Sequence, residues 1–360
     1  MGINLFRRGL LLAGLAGLAD AYALPRRTLT FPSDHGAHPD LRTEWWYVTG
    51  HARSGAGAAA REFGFQVTFF RSRVDATQGM ASAFAAKQLI FAHAAVTDVQ
   101  GKKLWHDQRI AREGFGVAEA SLADGALKLR DWSLARSPAD GAWQGRVNGG
   151  DIALDLRFAP TQPLLLQGDQ GLSRKGPDPA QASYYYSQPQ LAVSGSLAVE
   201  GRRMQIAPGT GRAWLDHEWS EALMHPEAVG WDWIGMNLFD GSALTAFRLR
   251  SKAGQTLWDG GSFRASTGSV YVFSRGEVIF SPQRSWKSPL SQATYPVEWI
   301  VRTPADFYTV RPVLDNQELD SRASTGAIYW EGLCDLIDSN GRAVGRGYLE
   351  MTGYAMPLRL

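Results

Sequence analysis

One cysteine, Cys334, stands in a chain of 360 residues. No intrachain disulfide can form, so the fold must rest on its hydrophobic core. Charge of either sign is not in excess: Lys and Arg number 37 against 35 Asp and Glu. Without a basic stripe, nucleic acid is not an expected partner. Charged residues make up 20% and hydrophobic residues 44%, which excludes a disordered chain. The sequence has no Gly-x-Ser-x-Gly; Gly171-Leu172-Ser173-Arg174-Lys175-Gly176 misses it by one residue, which argues against an α/β-hydrolase. There is no P-loop, and Gly209-Thr210-Gly211 lacks the third glycine of a dinucleotide site. His217-Glu218 is not followed by a histidine at zinc-protease spacing, and with seven histidines in all no stronger metal cluster is available. Neither a metal nor an organic cofactor is expected. Long helical periodicity is absent as well.

What is abundant is aromatic surface, with 13 Trp residues, many beside polar residues where strands would begin. Glu44-Trp45-Trp46-Tyr47-Val48-Thr49-Gly50 reads as a strand closed by glycine, and Phe63 to Arg71 alternates apolar with small or polar residues. Residues 159–189, rich in Pro and Gly, read as the longest loop, and 191–199 with 202–206 as a hairpin. Trp231-Asp232-Trp233-Ile234-Gly235 then echoes the first tryptophan strand, and Ser242 to Arg248 echoes the second, with an arginine closing each. Many short strands with turn signals imply an all-β chain of antiparallel barrels or sandwiches. Ahead of them, Arg7-Arg8, an apolar run over 9–19 and Ala21-Tyr22-Ala23 have the form of a secretory signal peptide, loosely of twin-arginine type. Residues 1–23 are therefore expected to be a leader, 24–222 one domain and 223–360 a second, outside the cytoplasm in the periplasm or medium. Residues 24–40 read as an extended lead-in.

The densest chemistry lies in Gly211-Arg212-Ala213-Trp214-Leu215-Asp216-His217-Glu218-Trp219. On a strand, Trp214, Asp216 and Glu218 share one face and Leu215, His217 and Trp219 the other. Two carboxylates that close resist double ionisation, so one can stay protonated and serve as a proton donor. The alternative is structural: both carboxylates pair with Arg212 or Arg42 and seal a barrel end. Asp216, Glu218 and His217 are the candidate catalytic residues; Trp214, Trp219, Tyr184, Tyr186, Trp231 and Trp233 are the candidate ligand-binding walls. The tyrosines have a plain packing role open to them too, and Trp45-Trp46 reads as a plug of one barrel end.

The opening tryptophan strand, Leu165-Leu166-Gln167-Gly168, the Trp-Leu-Asp-His-Glu-Trp core, and Trp231-Asp232-Trp233 with Asp240-Gly241 together resemble the carotenoid 1,2-hydratase (hydroxyneurosporene synthase) family, in its secreted AttH-like branch. That resemblance covers nearly all of the mature chain and implies two tandem lipocalin-like β-barrel domains with a pocket for an apolar lipid or isoprenoid-like ligand. It implies that Asp216 matches the acid of the hydratases. Trp214 stands where they have a tyrosine, and Tyr184-x-Tyr186 where they have His-x-Trp. AttH-like relatives often accompany ABC transporters, so a transporter permease is an expected partner and an accessory, ligand-binding role the first functional expectation. A cofactor-independent hydratase or lyase is the second, and a secreted hydrolase the third. For the second, Asp216 would be the acid and Glu218 the base or its partner, with the indoles and phenols stabilising a cation.

Overall fold

The computed structural model describes residues 23–358; all of the expected leader but its last residue lies outside that range. Among the described residues the chain forms two antiparallel sheets, one of fourteen strands and one of ten. In the first, Lys103–Arg112, Gln88–Asp98, Arg61–Arg73, Thr43–Ser54, Gly211–Ala222, Ala182–Val199 and Ile152–Ala159 lie side by side in that order, and short hairpins continue it. In the second, Ala243–Ser251, Ala228–Leu238, Ala343–Met351 and Ala327–Ile337 form the central run. The fold is all-β and lipocalin-like, and each sheet curls around its own apolar core. A third apolar cluster, which includes Tyr47, Trp214, Trp233 and Phe247, fills the seam between them.

Both sheets share one connection: the first strand in the chain pairs with the last. Thr43–Ser54 pairs with Gly211–Ala222, and Ala228–Leu238 with Ala343–Met351. The echo between the two tryptophan strands extends to the register. Glu44 lies opposite Arg71, and Asp232 opposite Arg248. Each pair is a buried ion pair of 2.7 Å inside its own sheet. Trp45 lies opposite Phe70, and Trp233 opposite Phe247. On the other flank, Trp45 faces Glu218 and Trp233 faces Glu350. Each unit thus turns one Trp–Phe–Glu row toward the other.

Two expectations need correction. Residues 159–189 are not one loop: Ala182–Val199 is a single strand that carries all three tyrosines. Pro189 is tolerated because the register shifts between Gln188 and Leu191, so its missing N–H falls at an irregularity and not in the regular ladder. The lead-in is not simply extended either. It folds back under the first sheet, burying Asp34 and His35, and Trp46 Nε1 donates to the His35 carbonyl at 2.9 Å.

Candidate functional site

Period-two alternation divides the Gly211–Ala222 strand. Trp214, Asp216 and Glu218 face the second sheet, while Leu215 and Trp219 enter the core of the first. Because Tyr185 lies opposite Glu218, and Ser187 opposite Asp216, these two side chains join the outward face. The outward faces enclose an apolar cleft of about 100 Å³. It adjoins a second compartment of about 180 Å³ through Trp45, Phe70, Trp231 and Glu350.

Asp216 is the most tightly held group in this cleft. Its Oδ1 accepts from Ser187 Oγ at 2.5 Å and Trp214 Nε1 at 2.7 Å, and its Oδ2 accepts from the Tyr185 hydroxyl at 2.8 Å. Ser187 has a supporting line of its own. Ser262 Oγ from the second sheet donates to Gln167 Oε1 at 2.8 Å, and Gln167 Nε2 donates to Ser187 Oγ at 2.9 Å. With one lone pair occupied in this way, the Ser187 proton points to Asp216. Gln167 belongs to the Leu165-Leu166-Gln167-Gly168 motif, which thereby gains a physical role. Burial pushes the Asp216 carboxyl up to about 7, against those three hydrogen bonds and with the help of the Glu218 charge. The carboxyl can therefore gain and lose a proton near neutral pH.

Neither carboxylate pairs with Arg212 or Arg42, the arginines proposed for a structural role. Asp216 is held by neutral donors; Glu218 takes Lys175 Nζ at 2.9 Å and a hydrogen bond from Ser183. The Lys175 ammonium also lies 4.1 Å from the Phe247 ring centre. Two more carboxyls enter from the second sheet. Glu350 accepts from Trp231 Nε1 at 3.0 Å, and burial raises it to about 7. Glu331, directly opposite Glu350 on the next strand, takes Gln66 Nε2 at 2.7 Å. Burial first, and then the charge of Glu350, push Glu331 well above the ordinary carboxyl range.

Trp231 and Trp233 line the cleft, and Trp45 joins them, its ring stacked on Trp231 with centroids 6.4 Å apart. Trp214 serves through its N–H and packs edge-on against Trp233. The remaining candidates lie elsewhere. His217, Trp219, Tyr184 and Tyr186 face into the first sheet because they have the opposite parity to Asp216 and Tyr185. There His217 Nε2 meets Glu44 Oε1 at 2.9 Å, and Trp46 stacks on its ring. Trp219 stacks on His38 with centroids 4.0 Å apart, Tyr186 bonds His35 at 2.6 Å, and the Tyr184 hydroxyl donates to the Pro25 carbonyl. His38, Glu44 and His217 each bring a ligand atom within 4.8 Å of the others. Glu44 is nonetheless committed to Arg71, and both nitrogens of each imidazole already face protein acceptors. This donor set reads as a packed charge network that ties the lead-in to the sheet.

Reading the sequence missed Tyr185, Lys175, Glu331, Glu350, Trp45 and Tyr47 as cleft residues. For Glu331 and Glu350 a signal existed: each is an acid inside an otherwise apolar strand, in Tyr329-Trp330-Glu331-Gly332-Leu333 and Tyr348-Leu349-Glu350-Met351.

The AttH-like family pattern matches residues 22–354. Among curated proteins none matches the chain. Of solved structures, an AttH protein from Nitrosomonas europaea is 45% identical with a TM-score of 0.84, over 92% of this chain and 99% of that one. Kievitone hydratase from Nectria haematococca shares the fold at 14% identity, with a TM-score of 0.70 over 91% of this chain and 94% of its own. CghA is more distant, at 13% identity and a TM-score of 0.56, over 88% of this chain and 89% of its own. With its tandem barrels, its Gln167 motif and its Asp216 strand all inside the matched span, the chain belongs to the AttH-like family, whose fold extends to hydratase-like structural relatives.

Proposed function

We propose that the protein is an exported, cofactor-independent acid–base catalyst that adds water to, or removes it from, a carbon–carbon double bond of an apolar molecule. Asp216 is its proton-transferring group. One observation carries this reading: a buried carboxyl, held by Tyr185, Ser187 and Trp214, titrates at about 7 in a cleft walled by indoles. A group poised there can act in both directions at neutral pH. In hydration, the Asp216 carboxyl gives its proton to one alkene carbon, a water oxygen bonds to the neighbouring carbon, and the Asp216 carboxylate takes the proton that water sheds. Dehydration runs the same steps backward. Glu218, engaged by Lys175 and Ser183, balances charge; Trp45, Trp231 and Trp233 hold the apolar part and exclude bulk water. That kievitone hydratase has this fold supports the reading at the level of the scaffold. A transporter-accessory role draws no support from the relatives found. A serine-nucleophile hydrolase draws no support from this site, because Ser183 and Ser187 both donate to carboxylates.

The test is incubation of the purified protein with a panel of apolar alkenes in ¹⁸O-water, followed by mass spectrometry. Wild type should incorporate the label and Asp216→Asn should not. Label uptake undiminished in the variant would remove Asp216 from the chemistry. Co-purified ligand with no turnover on any alkene would favour a carrier. Export is tested separately: N-terminal sequencing of material recovered outside the cytoplasm should begin near Leu24, and a retained Met1 would overturn the leader.

A further inference from the structure

Opposite Asp216 the cleft has a second polar pole that the proton-transfer reading leaves unused. Tyr47 is the direct ladder partner of Asp216 and lies on the same face, so their side chains leave the sheet about 5 Å apart. Its hydroxyl is buried and has no hydrogen-bond partner. Glu331, which reaches in from the second sheet, is 2% exposed; one carboxyl oxygen takes Gln66, while the other, Oε1, has no partner. Tyr47 and Glu331 face each other closely enough for each to affect the other's titration, with Thr49 Oγ1 beside the phenol, but none of these three oxygens reaches hydrogen-bond geometry with another. Two unsatisfied buried polar atoms in one cleft are costly unless something occupies the gap. Burial raises Glu331 well above the ordinary carboxyl range and Tyr47 well above the ordinary phenol range, which favours the protonated, O–H-donating form of both. Two convergent donors want one acceptor oxygen, and a phenol beside a neutral carboxylic acid is a strong holder of an oxygen that gains negative charge.

We propose that Tyr47 and Glu331 form an oxygen-binding site and that the ligand is an apolar molecule whose double bond is conjugated to a carbonyl, or the β-hydroxy carbonyl made from it. This rests on the acid–base reading of Asp216 and names its substrate class. The electron balance changes accordingly. Asp216 carboxylate takes a proton from water as the water oxygen bonds to the β-carbon. The alkene pair moves to the carbonyl oxygen, giving an enolate held by the Tyr47 and Glu331 hydroxyls. The enolate pair then returns as the α-carbon takes the proton from Asp216. One water is added and every group is restored. Trp45, Phe70 and Trp231 stand between the cleft and the second compartment, toward which the rest of an isoprenoid-sized ligand would extend.

The experiment is a tryptophan-fluorescence titration of the full chain with two probes: β-ionone, an isoprenoid enone, and limonene, an isoprenoid hydrocarbon. Wild type should bind the enone at least about tenfold tighter, the worth of a hydrogen bond in a dry site. Tyr47→Phe, which removes one oxygen, should bring enone affinity down toward that of limonene and leave limonene unchanged. Glu331→Leu, which removes the other donor, should do the same, whereas Glu331→Gln, whose amide keeps an N–H donor there, should retain most of the enone preference; near-UV circular dichroism verifies that each variant is folded. Equal affinities in wild type, or losses shared equally by the two probes, overturn the proposal. The ¹⁸O experiment separates the two readings. Enone preference that depends on Tyr47, without label uptake, sinks the hydro-lyase and leaves the oxygen site. Asp216-dependent uptake into a hydrocarbon alkene, indifferent to Tyr47→Phe, sinks the oxygen site and leaves the hydro-lyase.

Discussion

Asp216 combines two opposed influences, and their balance predicts how the protein responds to pH. Its carboxyl titrates at about 7 in the folded state and near 4 when unfolded, so the folded state binds the proton more tightly. Its contribution to stability is therefore full below about pH 4, declines as pH rises toward 7, and levels off above. The total is on the order of 4 kcal/mol. Asp216→Asn removes that decline. Urea midpoints at pH 4, 6 and 8 should show the variant gaining on wild type as pH rises. Glu350, raised to about 7 in the same cleft, keeps the slope from vanishing. A variant that loses stability uniformly would mean that Asp216 is a structural anion. The Tyr185 hydroxyl works in the opposite sense, because its hydrogen bond lowers the Asp216 pKa. Tyr185→Phe should move the Asp216 limb of the pH–rate profile to higher pH, while Tyr184→Phe, on the other face, should leave that limb where it is.

At the scale of elements, the Thr43–Ser54 strand divides its labour between its faces. Trp45 and Tyr47 look into the cleft; Glu44 and Trp46 hold the lead-in. Glu44 is buried among Arg71, His38 and His217, and although burial opposes it, hydrogen bonds from His217 and His38 hold its carboxyl well below the usual range. The lead-in thus rests on an anion rather than on apolar contacts alone. Glu44→Gln leaves Arg71 buried without its counter-charge and should cost about 3–5 kcal/mol in urea unfolding. The lead-in over 24–42 should become the first site of proteolysis. A loss below about 1 kcal/mol, typical of a surface pair, would mean that water replaces the charge.

At the scale of the molecule, the cleft exists only because two similar sheets meet. Trp233 Nε1 reaches the Tyr185 hydroxyl at 3.3 Å, Gln190 N reaches Asn237 Oδ1 at 2.7 Å, and Arg346 pairs with Glu62. Asp216 itself depends on Ser262 of the second sheet through Gln167 and Ser187. Residues 23–222 produced alone should therefore bind a dye for exposed apolar surface and associate in gel filtration, because Trp45, Tyr47 and Trp214 lose their cover. A monomeric fragment without dye binding would show that the first sheet does not need its partner.

The all-β class, the tryptophan strands, the arginine that closes each second strand and the grouping of Trp214 with Asp216 and Glu218 were all legible in the sequence. They depend on local facts: turn residues, β-branched and aromatic runs, and a side-chain period of two. That period also separates His217 and Trp219 from Asp216 within one strand. It cannot say which face meets the ligand, nor the parity of a strand thirty residues away. For that reason Tyr184 and Tyr186 were expected at the site, where Tyr185 stands. Only the register of Ala182–Val199 against Gly211–Ala222 puts Tyr185 opposite Glu218 and Ser187 opposite Asp216. Only the packing of the second sheet on the first brings Glu331 and Glu350 into the same cleft. Within a strand the backbone itself fixes which side chains share a face; between strands and sheets the long-range burial of apolar surface fixes the neighbours, and that depends on the whole chain at once.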